Sequence, residues 1–136
     1  MNPTKITLAA LAAAFSFAMT VSAAESKLPP ASDKKDVTYA KDIKPIFDSS
    51  CIKCHAGDRA KAKLQMDSLE GVLKGTKMGK IVIAGDSAKS LIVKSVAHAT
   101  EDQDQWMPPV GNKAGIKPLT PEQIGLVRAW IDQGAK

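Results

Sequence analysis

Aromatic side chains are scarce in this sequence. Its 136 residues include two tryptophans, one tyrosine and three phenylalanines, and Phe15 and Phe17 lie in an apolar run at the N-terminus. Beyond that run only Tyr39, Phe47, Trp106 and Trp130 are left to build a core, which is thin for a domain of about 110 residues. Cysteine and histidine are scarcer still, at two each. That small number excludes a disulfide-rich scaffold and, with few spare ligands, weighs against a closed four-ligand zinc site. No Ser/His/Asp arrangement, no paired carboxylates beside a base and no phosphate-binding glycine loop occurs, so no familiar catalytic constellation is present. No apolar run after the N-terminus is long enough to cross a bilayer, and the positive charge comes without a nucleic-acid-binding motif.

The N-terminal run has its own logic. Lys5 supplies a positive start, residues 6–18 are almost continuously apolar, and small residues follow at Val21, Ser22, Ala23 and Ala24. This is the order of a cleaved secretory signal peptide, expected to span residues 1–24, with no stable membrane insertion afterwards. Export places the protein in the periplasm or an equivalent outer compartment. The formal charge is +5, and +4 without Lys5. Residues 25–36 are charged, contain two prolines and lack apolar periodicity, and so read as a flexible leader. The domain is expected over residues 37–136.

What the sequence does have is concentrated in Cys51-Ile52-Lys53-Cys54-His55. Both cysteines and one of the two histidines fall within five residues. This is the pattern of covalent c-type haem attachment: the two thiols add across the two haem vinyl groups, and the adjacent histidine reaches the iron from one face. An exported CxxC could also be a disulfide or a dithiol redox motif; His55 argues against that, and the flanks lack the βαβ pattern that a thioredoxin-like site needs. A buried porphyrin also supplies the large flat apolar surface that the sparse aromatics do not, and folding is expected to depend on haem attachment.

The opposite face of the iron has several candidates: Met66, Met78, Met107, His98 and the lysines. Met107 stands 52 positions beyond His55 and is followed by Pro108 and Pro109, which stiffen its loop so that a weak thioether ligand is held before it binds. Met66 and Met78 read as core filler. His98 is the real rival, as it would make a bis-histidine iron.

Around these residues the pattern is helical. Tyr39, Ile43, Ile46, Phe47 and Ser50 fall at helical spacing, with Asp42 as the expected cap and a helix over residues 43–50 running into the motif. Asp67 and Glu70 are spaced as a capping pair for a short helix over residues 68–74 that stops at Gly75. The apolar residues 81–84 form a short extended segment or buried loop. Asp86 or Ser87 caps a third helix that turns Leu91, Ile92, Ser95 and Val96 inward. Thr120, Pro121 and Gln123 give the last helix a threonine cap, a proline at its first position and a glutamine closing the box; Ile124, Val127 and Ile131 form its stripe and Gly134 its stop.

The ordered combination of Cys51-Ile52-Lys53-Cys54-His55, the lead-in Ile43 to Phe47, Gly85-Asp86-Ser87 with Ser90-Leu91, Met107-Pro108-Pro109, and Thr120 to Gln123 ending in Trp130 to Ala135 resembles the small monohaem cytochrome c domains of planctomycete type. The resemblance covers residues 37–135. It implies an all-α, class I-like cytochrome c fold of about four helices with long loops around one haem, the first and last helices packed across each other. It also implies that Cys51, Cys54 and His55 attach and ligate haem c, with Met107 as distal ligand. One departure stands out: no proline occurs between His55 and Pro108, so the usual prolyl carbonyl acceptor for the histidine ring has no counterpart.

The expected function is single-electron transfer by a non-enzymatic exported carrier, acting as a monomer with redox partner proteins and no nucleic acid. The bases Lys53, Arg59, Lys61, Lys63, Lys74, Lys77 and Lys80 outnumber Asp58, Asp67 and Glu70 across residues 53–80, a distribution that suits an acidic partner or an ordinary solvated face. Two other classes stay open: a haem sensor or peroxidase-like enzyme with a labile distal ligand, and a haem relay module of a larger exported oxidoreductase.

Overall fold

A computed structural model describes residues 27–136. The signal-peptide reading of residues 1–24 lies outside the described residues. Among these, the chain forms four α-helices and no β-strand: α1 (Lys44–Ser50), α2 (Leu69–Lys74), α3 (Leu91–Val96) and α4 (Pro121–Asp132). Short 3₁₀ turns lie at Lys61–Lys63 and Gln103–Gln105. The all-α expectation holds. No helix of the described residues is long and apolar enough to cross a membrane.

The last helix forms where its local signals put it. Thr120 accepts a hydrogen bond from the Gln123 N–H at 3.2 Å, and the Gln123 side chain accepts from the Thr120 N–H at 2.9 Å, a reciprocal capping box. With Pro121 at the first helical position, the helix start needs no help from the rest of the chain. Ile124, Val127 and Ile131 are buried as expected, and Trp130 with them.

Three other helix starts differ from the sequence reading, each for a local reason. α1 begins at Lys44 after a π-helical turn, Tyr39–Ile43, and has no side-chain cap. Asp42 is drawn away: it accepts from the Thr38 N–H at 2.9 Å and pairs with Lys34. At α2 the cap is Ser68, whose hydroxyl accepts from the Gly71 N–H at 3.1 Å; a serine immediately before the helix serves the orphan donors better than Asp67 one residue further out. At α3 the cap position is Ser90, four residues later than Asp86, because the loop before it is latched to α4. The Ser87 N–H and hydroxyl donate to Asp132 at 2.8 and 3.0 Å, and the Gly85 N–H donates to the Ile131 carbonyl at 2.8 Å. Val93 rather than Leu91 is buried on α3, and Leu91 is 39% exposed.

The core is built around Trp130. Its ring meets Phe47 edge-on with centroids 6.4 Å apart and Tyr39 at 5.9 Å, so α1 and the turn before it are packed on α4 through three of the chain's few aromatics. Such pairs contribute about 0.5–1.5 kcal/mol each beyond their buried area. The Trp130 indole N–H and the Tyr39 N–H both donate to the Lys136 carbonyl, at 2.9 and 2.8 Å, which ties the end of the chain to the same cluster. Ile81 and Val82 belong to the core as a buried loop.

The segment read as a flexible leader is laid along α4 in its described part. Leu28 is buried in the core. The Ser32 N–H donates to the Gly125 carbonyl at 2.9 Å, Arg128 donates to the Pro29 carbonyl, and the Gln133 side chain bonds both Val37 and Lys34, at 3.1 and 2.8 Å. Its bonds run to a helix about a hundred residues away, so no local periodicity announces them.

Gly125 makes that approach possible, since a Cβ there would lie 2.7 Å from the Pro30 carbonyl oxygen. Glycine to alanine inside a helix ordinarily gains about 0.5–1 kcal/mol. Here Gly125→Ala is expected to cost about 1–2 kcal/mol and to make residues 27–37 cleavable by protease, as measured by denaturant unfolding and limited proteolysis; a gain in stability would show that the segment does not rest on α4.

Candidate functional site

The site begins where α1 ends. Phe47 is fully buried under Trp130, and its carbonyl accepts the N–H groups of Cys51 and Ile52 at 2.8 and 3.1 Å. The next turn is closed by the Cys51 carbonyl, which accepts from Cys54 and His55 at 3.1 and 3.0 Å. A packed aromatic thus fixes the first cysteine, and a tight turn fixes the second cysteine and the histidine relative to it.

His55 is held by its neighbours. Its backbone carbonyl accepts from the Met66 N–H at 2.7 Å, and its Nδ1 lies 3.1 Å from the Lys61 carbonyl. A carbonyl can only accept, so Nδ1 carries the proton and Nε2 is left with its lone pair for a metal. The acceptor that the sequence left without a counterpart is therefore Lys61, not a proline. Lys61 is itself aimed by the Cys54 carbonyl, which takes its N–H at 2.9 Å. Two successive residues beyond it, Ala62 and Lys63, have left-handed φ of 56° and 58°, a conformation disfavoured for non-glycine residues that turns the chain sharply back. Burial lowers the His55 pKa from its ordinary value, against the opposing hydrogen bond to Lys61, so its ring is neutral at pH 7, as a metal ligand must be.

These residues open onto one cavity of about 800 Å³. Its wall includes Cys51, Cys54, His55 and Met107 together, so all four site residues expected from the sequence are brought to one space. His98, the rival distal ligand, is not on that wall. Met66 and Met78, read as filler, are on it: Met66 is buried, and Met78 stands 87% exposed on the Thr76–Gly79 turn. Met107 is half-buried and placed by its N–H, which donates to the Ser95 carbonyl on α3 at 3.0 Å. Beyond the prolines, Asn112 clamps the next loop, donating to Pro109 and Ile116 and accepting from the Ile116 N–H at 2.9 Å. Sequence reasoning missed Lys61 and Asn112. Lys61 acts through a backbone carbonyl that has no residue signature, and Asn112 is indistinguishable in sequence from any turn asparagine.

The donor set fits a covalently held haem. Both thiols are free and lie on the wall of the same apolar cavity as a neutral imidazole with its Nε2 available. Among the described residues, no three or more His, Cys, Asp or Glu side chains are grouped to hold a metal ion by themselves; a zinc site lacks its ligand set.

Residues 51–111 match the family model described as Planctomycete cytochrome C. Over this span the chain is similar to a small cytochrome c-like domain, a haem-binding class that transfers electrons. No curated protein and no solved structure gives a significant match.

The two thiols are not equivalent. Burial, reinforced by the nearby Cys54, pushes the Cys51 pKa up to about 12, so its reactive thiolate is rare at neutral pH. In the protein without haem, alkylation of Cys51 by iodoacetamide at pH 8 is expected to be at least about a hundredfold slower than that of a free cysteine, as read by peptide mass mapping. Alkylation at the free-cysteine rate would show that the thiol is not buried.

Proposed function

We propose that this protein is an exported single-electron carrier with one haem c, joined by thioethers to Cys51 and Cys54 and ligated by His55 and Met107. The observation that carries the reading is the convergence of all four residues on one apolar cavity. Haem supplies a one-electron couple at iron when bound. The chain's own residues then set its environment. Lys61, by accepting the Nδ1 proton of His55, orients the ring and raises the basicity of its other nitrogen. The Ser95 carbonyl positions Met107 through its backbone, so that ordering this loop is not a cost of ligand binding. Leu64, Ile81, Ile92, Val96 and Leu119 line the cavity and would exclude water around a seated haem, and a dry site lets the charge change by one unit with little reorganisation.

Electrons enter and leave at the mouth. Exposed Lys61 and Lys113 line the cavity against a single exposed carboxylate, Asp104, with Met78 and Leu91 presenting apolar surface. Lysines beside a small apolar contact suit an acidic partner, attracted at long range and docked loosely enough to dissociate. Electron exchange with such a partner slows as salt rises. A cleaved signal peptide over residues 1–24 brings the chain to the compartment where haem is attached.

A pyridine haemochrome spectrum of the exported protein is expected to show two thioether linkages, and absence of covalent haem would sink the reading. In the oxidised protein, a methionine-to-iron charge-transfer band is expected, lost in Met107→Ala, with a midpoint potential lower by on the order of 100 mV. Rapid, tight carbon monoxide binding by the reduced wild type would favour a haem sensor or peroxidase-like enzyme instead.

A further inference from the structure

The ten residues between α3 and Met107 are bracketed by one atom. The Ser95 carbonyl accepts the His98 N–H at 3.2 Å and the Met107 N–H at 3.0 Å. Between them the chain makes an acidic, mostly exposed excursion through Glu101, Asp102 and Asp104, with little apolar burial to hold it. What closes the excursion is a ring contact: the His98 imidazole lies flat on the Trp106 indole, centroids 4.9 Å apart and planes 7° from parallel. The indole N–H donates to the Thr100 carbonyl at 3.3 Å, so Trp106 is fixed on its edge as well as its face.

The histidine is an odd choice for its position unless the ring matters. His98 follows the end of α3 with a φ of 51°, the left-handed place after a helix where glycine or asparagine fits best. Nor is the ring used for polar contact through Nε2, which is buried with no hydrogen-bond partner. It does not line the cavity that holds His55 and Met107. A side chain that is uncomfortable in its backbone, unpartnered at a buried nitrogen and absent from the ligand cavity is accounted for by its flat face.

We infer that His98 is a positioning residue for Met107: its stack on Trp106 locks the residue next to Met107 and so holds the thioether at the cavity wall. The inference rests on reading Met107 as the distal ligand. It assigns the chain's second histidine a role toward the methionine, through packing rather than ligation.

The test uses the haem-loaded protein and two readouts, the methionine charge-transfer band of the oxidised form and carbon monoxide affinity of the reduced form. His98→Gly suits the left-handed backbone and removes only the ring, so the fold is retained. It is expected to weaken the band and raise carbon monoxide affinity by roughly twofold to tenfold. Trp106→Leu, which leaves residue 98 untouched, is expected to do the same, whereas Trp106→Phe keeps an aromatic face and stays near wild type. Wild-type behaviour in His98→Gly would overturn the inference, as would Trp106→Phe failing as badly as Trp106→Leu, because the indole hydrogen bond and not the stack would then be responsible. A wild type with no band, indistinguishable from Met107→Ala, would remove the ligand reading and this inference with it.

Discussion

The packing of Phe47 and Tyr39 on Trp130 is the contact on which the rest depends. Trp130 and Phe47 are fully buried, and they are the means by which a seven-residue helix is held against a twelve-residue one. Helices this short are marginal alone, so α1 exists because its apolar face is covered. Since the Phe47 carbonyl receives the Cys51 and Ile52 N–H groups, the same contact determines where the attachment turn starts. Truncating either ring would uncover the face that holds α1 and so release the start of that turn. The chain places three of its four aromatics beyond the N-terminal run at this one junction and the fourth on the loop that carries Met107.

Much of the rest of the cavity is held by backbone hydrogen bonds in which at least one partner lies in a loop. Buried N–H and C=O groups must find partners, and here loops supply them: Cys54 to Lys61, His55 to Met66, Ser95 to Met107. Five described non-glycine residues have left-handed φ above 50°: Asp36, Ala62, Lys63, His98 and Ala135. Three of them, Ala62, Lys63 and His98, lie within a few residues of a group that addresses the cavity or its methionine. Such a placement is common where a carbonyl or side chain must be aimed rather than merely buried.

This division explains what the sequence discloses. α4 is legible because threonine, proline and glutamine satisfy its first turn among themselves, and the cysteine-histidine turn is legible because its chemistry is carried by side chains at fixed spacing. The start of α1 is misread because Asp42, a good cap in isolation, is engaged by Thr38 and Lys34. The packing of residues 28–37 is invisible because it depends on a missing Cβ at Gly125 and on Gln133, far along the chain. The partner of the His55 ring is invisible for a deeper reason: a main-chain carbonyl is offered by every residue, and only the turn at Ala62 and Lys63 selects Lys61. Met78 is misjudged because filler and cavity wall have the same composition; only the fold separates them.

The cavity of about 800 Å³ opens to solvent, so its cost is not that of a sealed core void but of apolar wall left facing water, about 25 cal/mol for each Å². Water there finds few polar partners, since the wall is mainly Leu64, Met66, Ile81, Ile92, Val96 and Leu119. Such a space is better suited by a flat apolar group than by water. On the proposed function, the two thiols on its wall add what burial alone does not, since a covalent tether would keep the group at high effective concentration. The scarcity of aromatics and the presence of the cavity are then one fact, because the chain would leave to its cofactor the surface that other small domains fill with side chains.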